Sequence, residues 1–245
     1  MLIAPEIHLV GSGQFGFQIT DLMDCNVYLI DAGSEAFLID AGGGVQPELI
    51  VKQIEQSGIS TDKITRLLLT HIHGDHAAGA SYFQQRYGWK VIVSKEAAPW
   101  LEAADHDKTS LNAAIAAGVY PENFKYEPCP VSRSVEDGDR LEIGNVRLQV
   151  IETPGHSRGH VSYVWERQGQ RLIFSGDVIF AGGKIVLQQT WDCVIQDYAK
   201  SIERLHELNI DALFPGHGPF ITANAARHIA MAHSKFARLE LPPNL

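Results

Sequence analysis

The chain has 245 residues, 45% apolar and 20% charged, enough to bury one large core. Its net charge is −9 with no long basic block. That argues against nucleic acid or an anionic membrane as a partner, because phosphate binding draws on clustered Lys and Arg. Cys25, Cys129 and Cys193 are odd in number and widely spaced. They argue against a disulfide framework and for a reducing, cytoplasmic compartment, each thiol serving as a small buried hydrophobe.

The opening stretch "MLIAPEIHLVGSGQFG" has neither the basic flank nor the apolar run of a secretory signal. No apolar run reaches membrane-spanning length. "CNVYLIDAG" and "AFLIDAGGG" read as a hairpin of two buried strands closing at Asp31 and Asp40. "QPELIVKQIEQSG" has helical spacing between Pro47 and Gly58. The strand "RLLLT" runs into "HIHGDH", and "AAGASYFQQRYG" follows as a helix stopped at Gly88, ahead of the strand "KVIVS".

Residues 95–130 are Ala-rich, broken by Pro99, Pro121, Pro128 and Pro130, and weakly helical. Two readings stay open: a helical insertion acting as a lid, or a plain helical crossover. A second β-rich half holds one hairpin turning at Gly144-Asn145 and another near Gln168-Gly169. The helix "VIQDYAKSIERLHELN", the strand "DALFPGHG" and a helix from about Thr222 to Leu239 complete the chain. Two halves, each of strands then helices, predict one α/β (α+β) domain over 1–245, a sandwich of two mixed sheets with helices outside.

The chemistry gathers at strand ends. On extended backbone His71 and His73 share a face and can point at one ion. Gly74 then lets the chain turn, so Asp75 and His76 can face a second. Three further strands end in Gly plus a ligand-capable residue: "LQVIETPGH" at His156, "RLIFSGD" at Asp177 and "DALFPGH" at His217. Packing does not explain four such ends, whereas a metal site with N and O donors does.

These motifs, in this order, resemble the metallo-β-lactamase superfamily, and Asp40 before "AGGG" matches the aspartate that opens its pattern. The resemblance runs from about Cys25 to His217 and implies the αββα sandwich with the site along one edge. It implies two zinc ions per chain, with iron or manganese in one or both positions as alternatives. His71, His73 and His156 would hold one ion, Asp75, His76 and His217 the other, and Asp177 would bridge them. A hydroxide between the metals would be the nucleophile, with Asp75 holding it in line as the catalytic carboxylate. Asp40 would hydrogen-bond a ligand or fix a loop.

Within that superfamily, Asp177 stands where metallo-β-lactamases proper have Cys or Ser, which argues against antibiotic hydrolysis. His73 stands where flavodiiron proteins have Glu. Phe180 replaces the Tyr of quorum-quenching lactonases. Tyr120, Tyr198 or His160 could compensate, though packing is the plainer reading of each. "GDVIFAGGKIVLQQ" resembles glyoxalase II and related thioesterases. It makes Lys184 a candidate grip for a substrate carboxylate, or else part of a solvated turn. His160 is held as a substrate-facing or supporting residue. The stretch after His217 is too short for the C-terminal helical domain of glyoxalase II, which puts a glutathione thioester in doubt. His206, His228 and His233 are expected to face solvent.

The expected function is hydrolysis of a small ester, thioester or lactone. A mononuclear iron enzyme resembling persulfide dioxygenases, or a phosphodiesterase or nuclease of the same superfamily, is the alternative. A small-molecule substrate is the expected partner, with homodimer formation left open.

Overall fold

The computed structural model describes all of residues 1–245. The strands β1 (Leu2–Ala4), β2 (Ile7–Gly11), β3 (Val27–Asp31) and β4 (Ala36–Ile39) form an antiparallel meander. After helix α1 (Pro47–Gln56), β5 (Ile64–Leu68) joins β4 in parallel. A short turn α2 (Gly74–Ala77) and helix α3 (Ala80–Tyr87) lead to β6 (Lys90–Ser94). Helices α4 (Ala98–Ala103) and α5 (Leu111–Ala116) precede β7 (Arg133–Val135), which completes a seven-stranded sheet in the order β1 to β7.

The second sheet has five strands in the order β12-β11-β10-β9-β8. Its members are β8 (Arg140–Ile143), β9 (Val146–Glu152), β10 (Val161–Arg167), β11 (Gln170–Gly176) and β12 (Ala212–Pro215). Helix α6 (Ile195–Glu207) crosses from β11 to the parallel β12, and α7 (Ala226–Ala237) follows. Both hairpins turn where expected, at Ile143/Val146 and Arg167/Gln170. The last helix starts at Ala226, after the expected Thr222.

Side-chain alternation explains the layering. In β3, Tyr28 and Ile30 point between the sheets, where they meet Phe174, Tyr163 and Phe214 of the second sheet. Val27 and Leu29 point the other way, toward Ile50 and Ile54 of α1 and Phe83 of α3. Both faces are buried, which accounts for the unbroken apolar runs in these strands. On the far side, Ile173 and Leu213 pack against Tyr198, Ile202 and Leu205 of α6 and Ile229 of α7. The order helix, sheet, sheet, helix is therefore the expected αββα sandwich. The exception is instructive: β8 and β9 alternate buried and exposed, because that end of the sheet faces solvent. No helix is long and apolar enough to cross a membrane.

One edge of the sandwich concentrates strand ends. β4 and β5 are parallel, and β9, β11 and β12 share a direction within their sheet. Their C-terminal ends deliver Asp40, Thr70, His156, Asp177 and His217 to the loops beyond, where open α/β sheets place ligands. The two sheets are pinned together at this edge. The Tyr28 hydroxyl donates to Pro215 O (2.7 Å), the Tyr163 hydroxyl to Leu69 O (2.8 Å), and Asn26 Nδ2 to Gly218 O (3.0 Å).

Candidate metal centre

The loop after β5 carries His71 and His73, the latter on extended backbone, and α2 opens at Gly74, so Asp75 and His76 lie in its first turn. That is three residues earlier than the expected helix start at Ala77. His71, His73 and His156 bring their donor atoms within 4.8 Å of one another, as do Asp75, His76 and His217. His73 Nδ1 is 2.9 Å from His156 Nε2, and His76 Nε2 is 3.4 Å from His217 Nε2. Asp177 reaches both groups: its Oδ2 is 3.6 Å from His156 Nε2 and 3.3 Å from His217 Nε2, and its Oδ1 is 3.3 Å from His76 Nε2. The approach requires glycine at Gly216, where a Cβ would stand 2.5 Å from His76 Cε1 and closer still to Asp177.

Hydrogen bonds orient each imidazole. The Thr70 hydroxyl lies 2.9 Å from Asp40 Oδ2 and donates to it, so its oxygen accepts Nδ1–H of His71 at 3.1 Å. That leaves His71 Nε2, fully buried and without a hydrogen-bond partner, turned toward the cluster. His76 gives Nδ1–H to Asp40 Oδ2 (2.8 Å), which frees its Nε2 in the same way. His156 Nδ1 faces Val186 O at 3.3 Å.

The electrostatics divide the cluster in two. Burial, reinforced by His76 and His73, holds His71 well below the ordinary imidazole value. Burial and then His73 push His156 down to about 4. Both are therefore neutral and present lone pairs. Burial opposes charge on His217, but Asp177 and Asp75 overcome it and raise the group to about 9. For His76, too, burial is outweighed by the carboxylates of Asp177, Asp75 and Asp40, and the value rises well above the usual one. A field that favours protons there favours a metal cation in the same place. The donor set, imidazole nitrogens plus carboxylate oxygens around an unpaired buried Nε2, fits divalent transition metals. Cys25 also lies near Asp40 and His76, but burial pushes its thiol up to about 12, which leaves it protonated.

A cavity of about 230 Å³ opens over these residues. His73, Asp75, His156, Asp177 and His217 form its floor; Phe15, Ala114, Val119, Val186 and Leu245 give it an apolar wall. Thr109, Ser110, Tyr120 and Gln188 supply the polar side.

Residues 20–217 match the family model described as the Metallo-beta-lactamase superfamily. The chain belongs to that superfamily. Among curated relatives, it is 30% identical over 200 residues to the Beta-lactamase-like protein 2 homolog of Caenorhabditis elegans, covering 82% of this chain and 58% of that one. It is 26% identical over 235 residues to an acyl-coenzyme A thioesterase of Bos taurus, covering 87% and 79%. It is also 26% identical over 222 residues to an atrochrysone carboxyl ACP thioesterase of Aspergillus fumigatus, covering 90% and 58%. The chain thus spans only 50–58% of the length of the first curated relatives it matches. The solved metallo-beta-lactamase of Cronobacter sakazakii with the HARLDQ motif shares the fold, with a TM-score of 0.74 at 22% identity, covering 98% of this chain and 93% of that one.

Two candidate substrate contacts, each held between two readings, lie away from the cavity. Lys184 is exposed and lies off the cavity. The turn before it packs on α7 instead, with Gly183 against Met231 and the Gly182 amide donating to His228 Nδ1 at 2.8 Å. His228 is thereby half-buried, as are His206 and His233, whose rings stack 4.3 Å apart, so none of the three faces solvent freely. His160 is fully buried beneath the site. Its Nε2 accepts the Asp177 amide (3.1 Å) and its Nδ1 meets Thr153 Oγ1 (2.9 Å), so it supports Asp177 and cannot touch substrate.

The Tyr198 hydroxyl likewise donates to Asp177 O (2.6 Å) from below. Tyr120, read as packing, instead lines the cavity and donates to Asp75 Oδ1 at 2.7 Å. Asp192 was not anticipated at all. Its Oδ2 lies 3.4 Å from His73 Nε2 and its Oδ1 accepts from Ser110 Oγ (2.9 Å). Burial works against charge on Asp192, yet the hydrogen bond and charge of His73 bring it down to about 2, so it is an anion beside that ring. Nothing in "QQTWDC" marks it as a site residue.

Proposed function

We propose that this chain is a metal-dependent hydrolase of small acyl thioesters and esters, on the glyoxalase II-like side of its superfamily. The observation that carries the reading is the convergence of two donor groups about Asp177 on the floor of a cavity with one apolar wall. Two ions, zinc or alternatively iron or manganese, are the cofactors this donor set fits. His71, His73 and His156 would hold one, Asp75, His76 and His217 the other, with Asp177 between them. When bound, the ions supply Lewis acidity and a water acidic enough to attack at neutral pH.

The protein's own groups do the rest. The Asp75 carboxylate, on the cavity floor, orients the attacking water toward the acyl carbon. Phe15, Ala114, Val119 and Val186 take the acyl chain and keep bulk water from it. Thr109 lines the polar side, and its buried hydroxyl has no partner within the chain, which leaves it free to hold the substrate's polar end. The thioesterase relatives from Bos taurus and Aspergillus fumigatus support a thioester over a lactone. Three free cysteines support a reducing, cytoplasmic setting.

The test is metal analysis with a substrate panel of acyl thioesters, aryl esters, lactones and phosphodiesters. The reading expects about two zinc ions per chain and thioester turnover that Asp75→Ala abolishes while the fold persists. One iron with oxygen consumption, or full activity of Asp75→Ala, would overturn it.

A further inference from the structure

We propose that Tyr120 is a positioning residue for Asp75, through which the 95–130 segment governs occupancy of the second metal position; this rests on the two-ion reading above. The Tyr120 hydroxyl makes two bonds to one residue. It donates to Asp75 Oδ1 at 2.7 Å and accepts the Asp75 amide N–H at 3.0 Å. That amide lies at the start of a helical turn, where backbone donors lack partners within the helix. With Oδ1 held by the phenol, Oδ2 is the oxygen left facing His217 Nε2 at 3.0 Å. The bond therefore selects which oxygen of Asp75 is offered and fixes its direction.

The tyrosine is itself held firmly. Its ring stacks on Phe124 with centroids 4.4 Å apart, and both rings lie against Gly74. A Cβ on Gly74 would meet Phe124 Cε1 at 3.0 Å and Tyr120 Cε2 at 3.1 Å, so glycine in "HIHGDH" makes room for the segment. Two residues beyond Phe124, the Tyr126 hydroxyl donates to Ile72 O at 3.0 Å, on the same loop but on no donor group. The leg from Tyr120 to Tyr126 thus clamps the histidine loop, and one of its two hydroxyls reaches a carboxylate of the cluster. By reciprocity, an ion favoured by the oriented Asp75 must in turn favour the clamped segment.

The experiment compares Tyr120→Phe with Tyr126→Phe. Each loses one hydroxyl, and Tyr120→Phe keeps the ring on Phe124. Zinc uptake is followed by competition with a chromophoric chelator, and protease cleavage within 95–130 is followed with and without zinc. Tyr120→Phe should weaken the second zinc equivalent about 10–100-fold and leave the first unchanged, the scale of removing a group that orients a metal ligand. Its 95–130 segment should also lose zinc-dependent protection. Tyr126→Phe should leave both equivalents as in the unsubstituted chain. Unchanged uptake by Tyr120→Phe, or an equal loss in Tyr126→Phe, would overturn the role of Tyr120 while the two-ion reading stands. Uptake of a single ion by the unsubstituted chain would sink that reading and the inference with it.

Discussion

Asp40 Oδ2 lies 2.8 Å from His76 Nδ1, while Asp40 Oδ1 accepts the Thr70 amide at 2.7 Å. One buried carboxylate therefore joins the ends of two parallel strands and sets the tautomer of a candidate ligand. Its backbone sits in the left-handed region, at φ 64°, which Asn tolerates and Ala does not. Asp40→Asn should keep the fold but lose the bonds that Oδ2 accepts from His76 Nδ1 and the Thr70 hydroxyl, weakening zinc at the second position about 10–100-fold. Asp40→Ala should add a stability loss of about 1–2 kcal/mol from backbone strain. Chelator competition and urea unfolding separate the two effects; equal stability of the variants would refute the strain argument.

Zinc should stabilise the chain by mass action. Asp40, Asp75 and Asp177 crowd one buried edge, and a bound cation compensates them. At free zinc about 100 times Kd the gain is about 2.7 kcal/mol per site. For a chain of this size that is a rise of roughly 5–10 °C in Tm, reversed by chelation. A melting temperature indifferent to zinc would count against the metal centre.

The apolar wall should set acyl chain length. Ala114, on α5, faces the cavity beside Val119. Ala114→Leu should fill part of that space and cut kcat/KM for the longest accepted acyl group at least tenfold, since each buried methylene is worth about 0.8 kcal/mol. Short acyl groups should change little. An unaltered chain-length profile would place the acyl group elsewhere.

Asp24 gives the stability a pH dependence. It is buried, with Oδ1 accepting the Gly43 amide at 2.8 Å, and burial raises its carboxyl to about 6. A raised carboxyl favours the folded chain while protonated. Its contribution is full below about pH 4 and lost as pH rises through 6, about 3 kcal/mol in all. Asp24→Asn cannot titrate. The stability of Asp24→Asn relative to the unsubstituted chain should therefore climb by about 2–3 kcal/mol between pH 4 and pH 7.5. Urea unfolding of chelated protein at the two pH values measures it, and a flat difference would refute the assignment.

The sheets and the donor groups were legible because their signals are local. A strand shows itself by a short apolar run, or in β8 and β9 by period-two burial, and each donor follows its own strand within a few residues, as His156 follows β9 and His217 follows β12. The roles that no local signal marks arrive by tertiary routes. Tyr120 stands 45 residues from the Asp75 it holds, in an Ala-rich segment broken by prolines that has no motif to mark it. Asp192 reaches His73 from an irregular loop with no period to read. Lys184 stayed open between a grip and a solvated turn because Gly-Gly-Lys announces a turn without saying which way it faces; packing of Gly183 on α7 turns it away from the cavity. β1 and β7, with three residues each, are too short to show alternation.

The donors come in two instalments along the chain, residues 71–76 from the first sheet and residues 156, 177 and 217 from the second. During synthesis the first sheet can form early, yet neither donor group is complete until the second sheet has docked against it. At a translation rate of about 5–20 residues per second, roughly 7–30 s separate the emergence of His76 from that of His217. On the metal-centre reading, metal capture would be a late event in the life of each new molecule, and it would certify that the two halves have met.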